Sequence, residues 1–230
     1  MTLPKAWLAW SSGKDSARAL RVVRQAGELD VVGLLTTVTD GYRRVSMHGV
    51  RETLLHAQSA ALGLPLHVVR IPTPCPQEAY DEVMRGALQQ AREEGVTHVV
   101  FGDLFLADVR AYREKRLAEV GMAACFPLWQ RDSEALAREI IADGTKSVIV
   151  CVDPAKAPRE IAGKEYDKQL LASLPASVDP CGENGEFHTF VWDCRSFARP
   201  VAVRVGETVE RDGFLFTDLL PAPLRSLVVR

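Results

Sequence analysis

Paired cysteines are missing from this chain of 230 residues: it has five, an odd number, scattered with no C-x-x-C among them. That argues against a disulfide framework or a zinc ribbon and fits a reducing compartment. An apolar run of membrane-spanning length is absent, and so is the basic, apolar, small-residue succession of a signal peptide, so a cytoplasmic location with no membrane partner is expected. Neither sign of charge is in excess. The 28 Lys and Arg stand against 30 Asp and Glu, a net charge of -2, which argues against bulk nucleic-acid binding. There is no internal repeat and no low-complexity tract. Two common nucleotide motifs are missing too. No G-x-G-x-x-G occurs, and a Walker A loop is ruled out because Leu8 stands where its first glycine belongs and Asp15 where its Ser or Thr belongs.

What remains is the composition of an ordinary globular protein, 47% hydrophobic and 25% charged, long enough for one large domain with a smaller appendage. Short apolar runs alternate with amphipathic stretches. Strands are expected at Ala6–Trp10, Val31–Thr37, Leu66–Ile71, His98–Phe101 and Met122–Phe126. Helices are expected at Ala17–Ala26, Gly49–Leu62, Gln77–Glu94 and Leu106–Val120. This alternation predicts an α/β fold, a Rossmann-like parallel sheet with helices on both faces. Past Pro127 a helix capped by Asp132 or Ser133 and a strand at Ser147–Val152 follow. Runs at Phe187–Trp192, Val201–Val205 and Phe214–Thr217 then suggest antiparallel strands. The expected organisation is a nucleotide-binding domain over 1–126 and a smaller α+β domain over 127–230.

The stretch Ser11-Ser12-Gly13-Lys14-Asp15-Ser16 reads as the turn from the first strand into the first helix. Such a turn presents free backbone N–H groups, and the helix dipole favours an anion there by roughly 0.3 to 2 kcal/mol. Lys14 adds a full cation; Ser11, Ser12 and Ser16 add small hydroxyls. In a parallel sheet the ligand crevice lies at the carboxyl ends of the strands. Thr36 and Thr37 are therefore placed to line an adenine or ribose pocket, Gly102 to let the backbone pass close to a base, and Asp15 and Asp103 to hold Mg²⁺. Each has a plainer reading, as a β-former or a turn. After Asp103 come Asp108, Arg110, Arg113 and Glu114, the last three on one helical face; the arginines either clamp an anionic substrate or form a salt-bridged solvent face. In Gly182-Glu183-Asn184-Gly185-Glu186-Phe187-His188-Thr189 the polar groups Glu183, Asn184 and Glu186 suit an amine, ammonium or metal, and His188 suits an acid or base, against the alternative of a solvent loop with a half-buried histidine. His48 and His56 are spaced too widely along one helix for a zinc pair.

The Ser11–Ser16 stretch resembles the PP-loop, S-G-G-K-D-S, of the ATP pyrophosphatases, with Ser12 in place of the first glycine, a strained substitution if that position needs a positive φ. Together with Val45-Ser46-Met47-His48-Gly49-Val50, Gly102-Asp103, Arg110, Arg113-Glu114, Phe126-Pro127-Leu128-Trp129 and Gly182 to Thr189, it looks like the diphthine ammonia ligase family of PP-loop ATPases. The resemblance runs to about Asp193. It implies a fold of the adenine nucleotide alpha hydrolase type, with ATP and Mg²⁺ in the first domain and a carboxylate-bearing acceptor facing the second. It further implies an AMP-forming ligase that adenylates the acceptor for attack by ammonia or an amine. Lys14, Asp15 and His188 would be catalytic, and Asp108, Arg110, Arg113, Glu114, Glu183, Asn184, Glu186, His188 and Thr189 would bind the acceptor. Members usually carry a motif close to G-G-E-Y-E-T, from which the present Gly182–Thr189 stretch departs, so the acceptor stays unnamed; a homodimer stays open as well. Two alternatives are a non-catalytic ATP sensor and a thiolase acting on RNA through Cys75, Cys125 or Cys181, although no paired cysteine spacing and no basic RNA-binding stretch accompany the latter.

Overall fold

The computed structural model describes residues 2–41, 44–45 and 48–223. Ser46 and Met47, quoted above for the resemblance, lie outside them. Strand β1 (Lys5–Ala9) leads through the Ser11–Gly13 turn into helix α1 (Lys14–Ala26). Then follow β2 (Asp30–Thr39), β3 (Arg44–Val45), α2 (Glu52–Leu62), β4 (Leu66–Ile71), α3 (Gln77–Glu93), β5 (Val96–Val100), α4 (Ala107–Glu119) and β6 (Ala123–Cys125). β2 runs parallel to β1 on one edge and to β4 on the other, while β5 and then β6 extend the sheet from the far side of β1. Short β3 is antiparallel to the end of β2. Alternate residues of the strands feed two separate cores. Ala6, Leu8 and Leu34 pack with Leu20, Leu54 and Leu55 from α1 and α2, whereas Trp7, Leu35 and Val99 pack with Leu88 and Leu117 from α3 and α4. Helices therefore cover both faces, as the apolar runs require.

The chain winds outward from β1 in one direction through β2 and β4 and in the other through β5 and β6. Strand order thus reverses between β1 and β5, where an open sheet leaves a crevice at its carboxyl end. The Ser11–Gly13 turn and the Phe101-Gly102-Asp103 stretch flank it. A Cβ on Gly102 would lie 3.0 Å from the backbone carbon of Asp15, so glycine lets the two meet.

The remainder builds a second sheet. Helix α5 (Ser133–Ala142), capped by Asp132 through Ala135 N–H at 2.7 Å, precedes β7 (Lys146–Val152). A short helix α6 (Lys168–Ser173) leads to β8 (Phe187–Asp193), β9 (Val203–Arg211) and β10 (Phe214–Pro221), and the antiparallel order is β8-β7-β10-β9. This sheet packs onto the α1 and α2 side. Arg18 of α1 pairs with Glu139 of α5 and Arg21 with Asp143 at its C-cap, each closest contact being 2.7 Å, and Val148, Phe190 and Val191 join the cluster that contains Leu8 and Leu20. Fully buried Gln58 links three elements: Trp10 Nε1 donates to its Oε1 at 2.8 Å, and its Nε2 donates to the carbonyls of Ser12 and Val191.

Three expectations need correction. α2 begins at Glu52, not Gly49, because Gly49 has φ +68° and the chain stays extended to Arg51. His48 and His56 therefore do not share a helix. β9 reaches Arg211, and α6 and β3 were not anticipated.

Candidate functional site

Three segments with no sequence proximity converge at the crevice: the α1 N-terminus, the Gly182–Thr189 stretch entering β8, and the backbone after β5. The turn is tightly fixed. Ser12 has φ +71° and is fully buried, and its hydroxyl has no partner among the described residues. The position does require a positive φ, so the serine is strained by about 1–2 kcal/mol. Strand β8 holds it there, since Val191 N–H donates to the Ser12 carbonyl at 2.9 Å. Gly13 is in ordinary extended backbone, but a Cβ on it would stand 3.2 Å from the Thr189 carbonyl. Thr189 accepts the Lys14 N–H on its hydroxyl at 3.1 Å, while the N–H groups of Asp15 and Ser16 have no partner available within the helix.

Lys14 is almost completely buried. Its Nζ donates to Asp15 Oδ2 at 2.9 Å and to the Cys181 carbonyl at 2.5 Å, with the Tyr166 and Phe187 rings 5.2 and 5.4 Å away. Burial works against its charge, but Asp15, Cys181 and Glu183 outweigh it, and the ammonium pKa is raised. Of its three N–H donors two are engaged, so one remains for an anion.

These groups line a cavity of about 820 Å³, within the range that holds a nucleotide-sized ligand. Its walls include Ser11, Gly13, Lys14, Asp15, Ser16, Thr36, Thr37, Gly102, Asp103, Arg113, Glu183, Asn184, His188 and Thr189. The lining also includes Tyr80 and Met84 of α3, Tyr112 of α4 and Phe101. Within the cavity Ser16 Oγ donates to the Gly13 carbonyl at 2.9 Å, and Asp103 pairs with Arg113 at 3.1 Å.

Five of the residues singled out from the sequence are placed off the walls. Ser12 lies behind the turn. Asp108 is exposed on the first turn of α4. Arg110 pairs with Glu114 at 2.7 Å and stacks its guanidinium over Phe126 and Trp129 at 5.0 and 4.7 Å, so the salt-bridged alternative describes this face. Glu186 is buried and braces its own loop, accepting from Asp179 N–H at 3.0 Å and Asn184 Nδ2 at 3.1 Å. Thr36 borders the cavity, yet its hydroxyl donates to the Trp10 carbonyl at 2.7 Å and so ties β2 to β1.

The Gly182–Thr189 stretch is rigid rather than a solvent loop. Asp179 accepts the N–H groups of Cys181 and Glu183 at 3.1 and 2.8 Å, and Tyr166 donates to the Pro180 carbonyl at 2.7 Å. Glu183 Oε1 accepts from Leu104 N–H at 2.7 Å. Burial, with Asp15 and Asp103 nearby, pushes its carboxyl up to about 7 despite that bond, the range suited to a general base at neutral pH. His188 goes the other way. Burial and then the Lys14 charge bring it down to about 4, so at neutral pH it is an uncharged imidazole that accepts protons and hydrogen bonds. Its ring stacks on His48 at 4.3 Å. Burial raises the thiols of Cys125 and Cys181, which disfavours the thiolate that sulfur transfer needs.

Sequence reasoning gave no role to Asp179, His48 or the lining residues Tyr80, Met84 and Tyr112. Asp179 carried a usable signal, an aspartate heading a Pro-Cys-Gly turn whose N–H groups it can accept. Tyr80 and Met84 read only as the apolar face of a helix.

A family model of the diphthamide synthase N-terminal domain matches residues 4–124, and one of the diphthamide synthase C-terminal domain matches residues 132–217. Similar curated proteins include the diphthine–ammonia ligases of Rattus norvegicus, 28% identical over 182 residues, and of Homo sapiens, 26% over 182 residues, each alignment covering 73% of this chain and 67% of the relative. That of Schizosaccharomyces pombe is 30% identical over 112 residues, 45% of this chain and 18% of the relative. The matches thus span about two thirds of the length of the mammalian relatives, 66% in that of Mus musculus, and under a fifth of the S. pombe one.

Proposed function

The chain belongs to the diphthamide synthase family, and from that premise we propose that it is an ATP-dependent ligase that adenylates a carboxylate and transfers the acyl group to ammonia or an amine. The observation that carries this reading is the single cavity in which Lys14, at the head of α1, touches the Cys181 carbonyl that opens the Gly182–Thr189 stretch. One wall suits a polyphosphate and the other suits the acceptor. In the proposed division, residues 1–126 hold ATP and residues 127–230 present the acceptor.

In this scheme a carboxylate oxygen attacks the α phosphorus and the bond to the β phosphate breaks. The free N–H groups of α1 and the remaining donor of Lys14 stabilise the charge that develops on pyrophosphate. The nitrogen nucleophile then attacks the acyl carbon, AMP departs, and the proton released by nitrogen passes to the Glu183 carboxylate, which is held by Leu104 N–H at the cavity wall. Neutral His188 accepts a hydrogen bond from the acceptor or nucleophile. Mg²⁺ fits the carboxylates here, because Asp15 keeps Oδ1 without a partner while Asp103 stands across the crevice, engaged with Arg113. Among the described residues no group of three such side chains gathers, so phosphate oxygens and water would complete its shell, and its contribution is to neutralise polyphosphate charge. The five cysteines are all free, which supports a reducing, cytoplasmic setting, and no described helix is long and apolar enough to cross a membrane.

The test incubates the protein with ATP, Mg²⁺, ammonium chloride and fractions of a metabolite or translation-factor extract, and measures AMP and pyrophosphate. Lys14→Met, which keeps the aliphatic stem between Tyr166 and Phe187, is expected to stay folded by circular dichroism and to lose AMP release. Full turnover in that variant, or ADP as the product, would refute the reading. ATP bound but left intact under every fraction would make the protein a sensor instead.

A further inference from the structure

His48 and His188 form a pair to which the proposed chemistry gives only half a role. His48 comes from the segment between β3 and α2, His188 from β8. Their rings stack at 4.3 Å with 24° between the planes, and both line the cavity beside Lys14. His48 Nδ1 is buried and has no partner among the described residues. The Thr189 backbone favours the protonated form of the ring, against burial. With Nε2 as the protonated nitrogen of the neutral ring, Nδ1 presents a bare lone pair. Thr189 also receives the Lys14 N–H, which registers the imidazole and the head of α1 on one residue.

Described residues on either side of His48 are held firmly. Asp218 of β10 pairs with Arg44 at 2.9 Å and with both Nε and Nη2 of Arg51, and Gly49 lies against the Phe216 ring. If the stacked rings served packing alone, an aromatic hydrocarbon would do as well and would avoid the cost of an open buried acceptor. An acceptor left open beside a cation is instead suited to receive a proton once an anion arrives.

We propose that His48 and His188 are an anion-responsive pair that takes up one proton, at His48 Nδ1, when a polyphosphate binds at the Ser11–Ser16 turn, so that an imidazolium stacked on an imidazole helps to hold the anion. This rests on the nucleotide reading of that turn. The groups facing His48 are His188 and Lys14; those facing His188 are Lys14 and Glu186. In the free protein burial keeps both rings neutral, with the Lys14 charge adding to it. An opposite charge within about 4–6 Å raises a pKa by about 1–3 units, which works against the depression that burial imposes on the pair. The proton comes from solvent and returns to solvent, or to the departing anion, when the site empties.

The test uses the full chain, with labelled histidine and pyrophosphate as the probe. Imidazole signals are followed by NMR from pH 5 to 8, and those of His48 and His188 are assigned with His48→Phe and His188→Phe, which preserve a stacked ring. Without pyrophosphate both are expected to stay neutral at pH 6. At saturation one is expected to titrate about one unit or more higher, while His56, His67 and His98, which are not on the cavity wall, do not move. The affinity of the wild type for pyrophosphate, relative to His48→Phe, is expected to grow as pH falls from 8 to 6, by up to about tenfold per unit for one proton. Saturation with both imidazoles unchanged, or a flat affinity ratio, would overturn the pair. No pyrophosphate binding at any pH would overturn the nucleotide reading, and the pair with it.

Discussion

Glu183 holds its proton more tightly in the folded chain than in the unfolded one, with a pKa of about 7 against an ordinary 4.5, chiefly through burial. For an acid shifted in this direction, folding is favoured at low pH, and the advantage is lost as pH rises from about 4.5 through about 7. Glu183→Gln removes the burdened carboxylate. It is expected to be more stable than wild type by about 1–3 kcal/mol at pH 8 and no more stable at pH 4, measured by urea unfolding, while amide formation falls. Ser12 offers a separate comparison. Ser12→Gly and Ser12→Ala both delete the unpartnered hydroxyl, but only glycine accommodates φ +71° without strain, so the glycine variant should exceed the alanine one by about 1 kcal/mol in unfolding free energy. Local pattern was sufficient to single out Lys14 and Asp15, but it left the φ of Ser12 open, and the fold fixes it at +71°. Nor was pattern sufficient for the raised pKa of Glu183, which comes from burial and from Asp15 and Asp103, against the Leu104 N–H, all brought to it by the fold.

At the level of elements, the segment entering α2 tolerates little added bulk. Gly49 combines φ +68° with a notional Cβ only 2.8 Å from Phe216 Cδ1. Gly49→Ala is therefore expected to cost about 2–3 kcal/mol, seen as a lower midpoint in thermal unfolding, and to move His48 off His188. The same glycine explains an error of reading. The apolar spacing of Val50, Leu54 and Leu55 continues a helical face backwards, but the left-handed turn at Gly49 stops the helix short at Glu52. Strands β1, β2, β4, β5 and β6 and helices α1 to α4 were legible because each buries a face with a clear period, whereas β3 has only two residues. β9 was underestimated for the opposite reason: Glu207, Val209, Glu210 and Arg211 are exposed on an edge strand, where no buried face imposes a pattern.

For the molecule as a whole, the second sheet is part of the nucleotide site's support. Leu8 and Leu20 share one core with Val148, Phe190 and Val191, and the Ser12 carbonyl is bonded from β8. One cooperative unfolding transition is expected in calorimetry, and a chain cut after residue 126 is expected to bind a hydrophobic dye and to lose pyrophosphate binding. Two resolved transitions would contradict the shared core. The proposed boundary near Phe126 rests on a change of period along the chain; the interlock between the two sheets has no such trace, because Gln58, Ser12 and Val191 show no mutual pattern in sequence.

Gln58 has one more consequence. Its amide oxygen accepts the indole N–H of Trp10, and its amide nitrogen donates to the Ser12 carbonyl. The turn therefore carries its own fluorophore: whatever shifts Ser12 changes the polarity felt by Trp10, and filling of the site can be followed by the colour of intrinsic emission, with no dye attached.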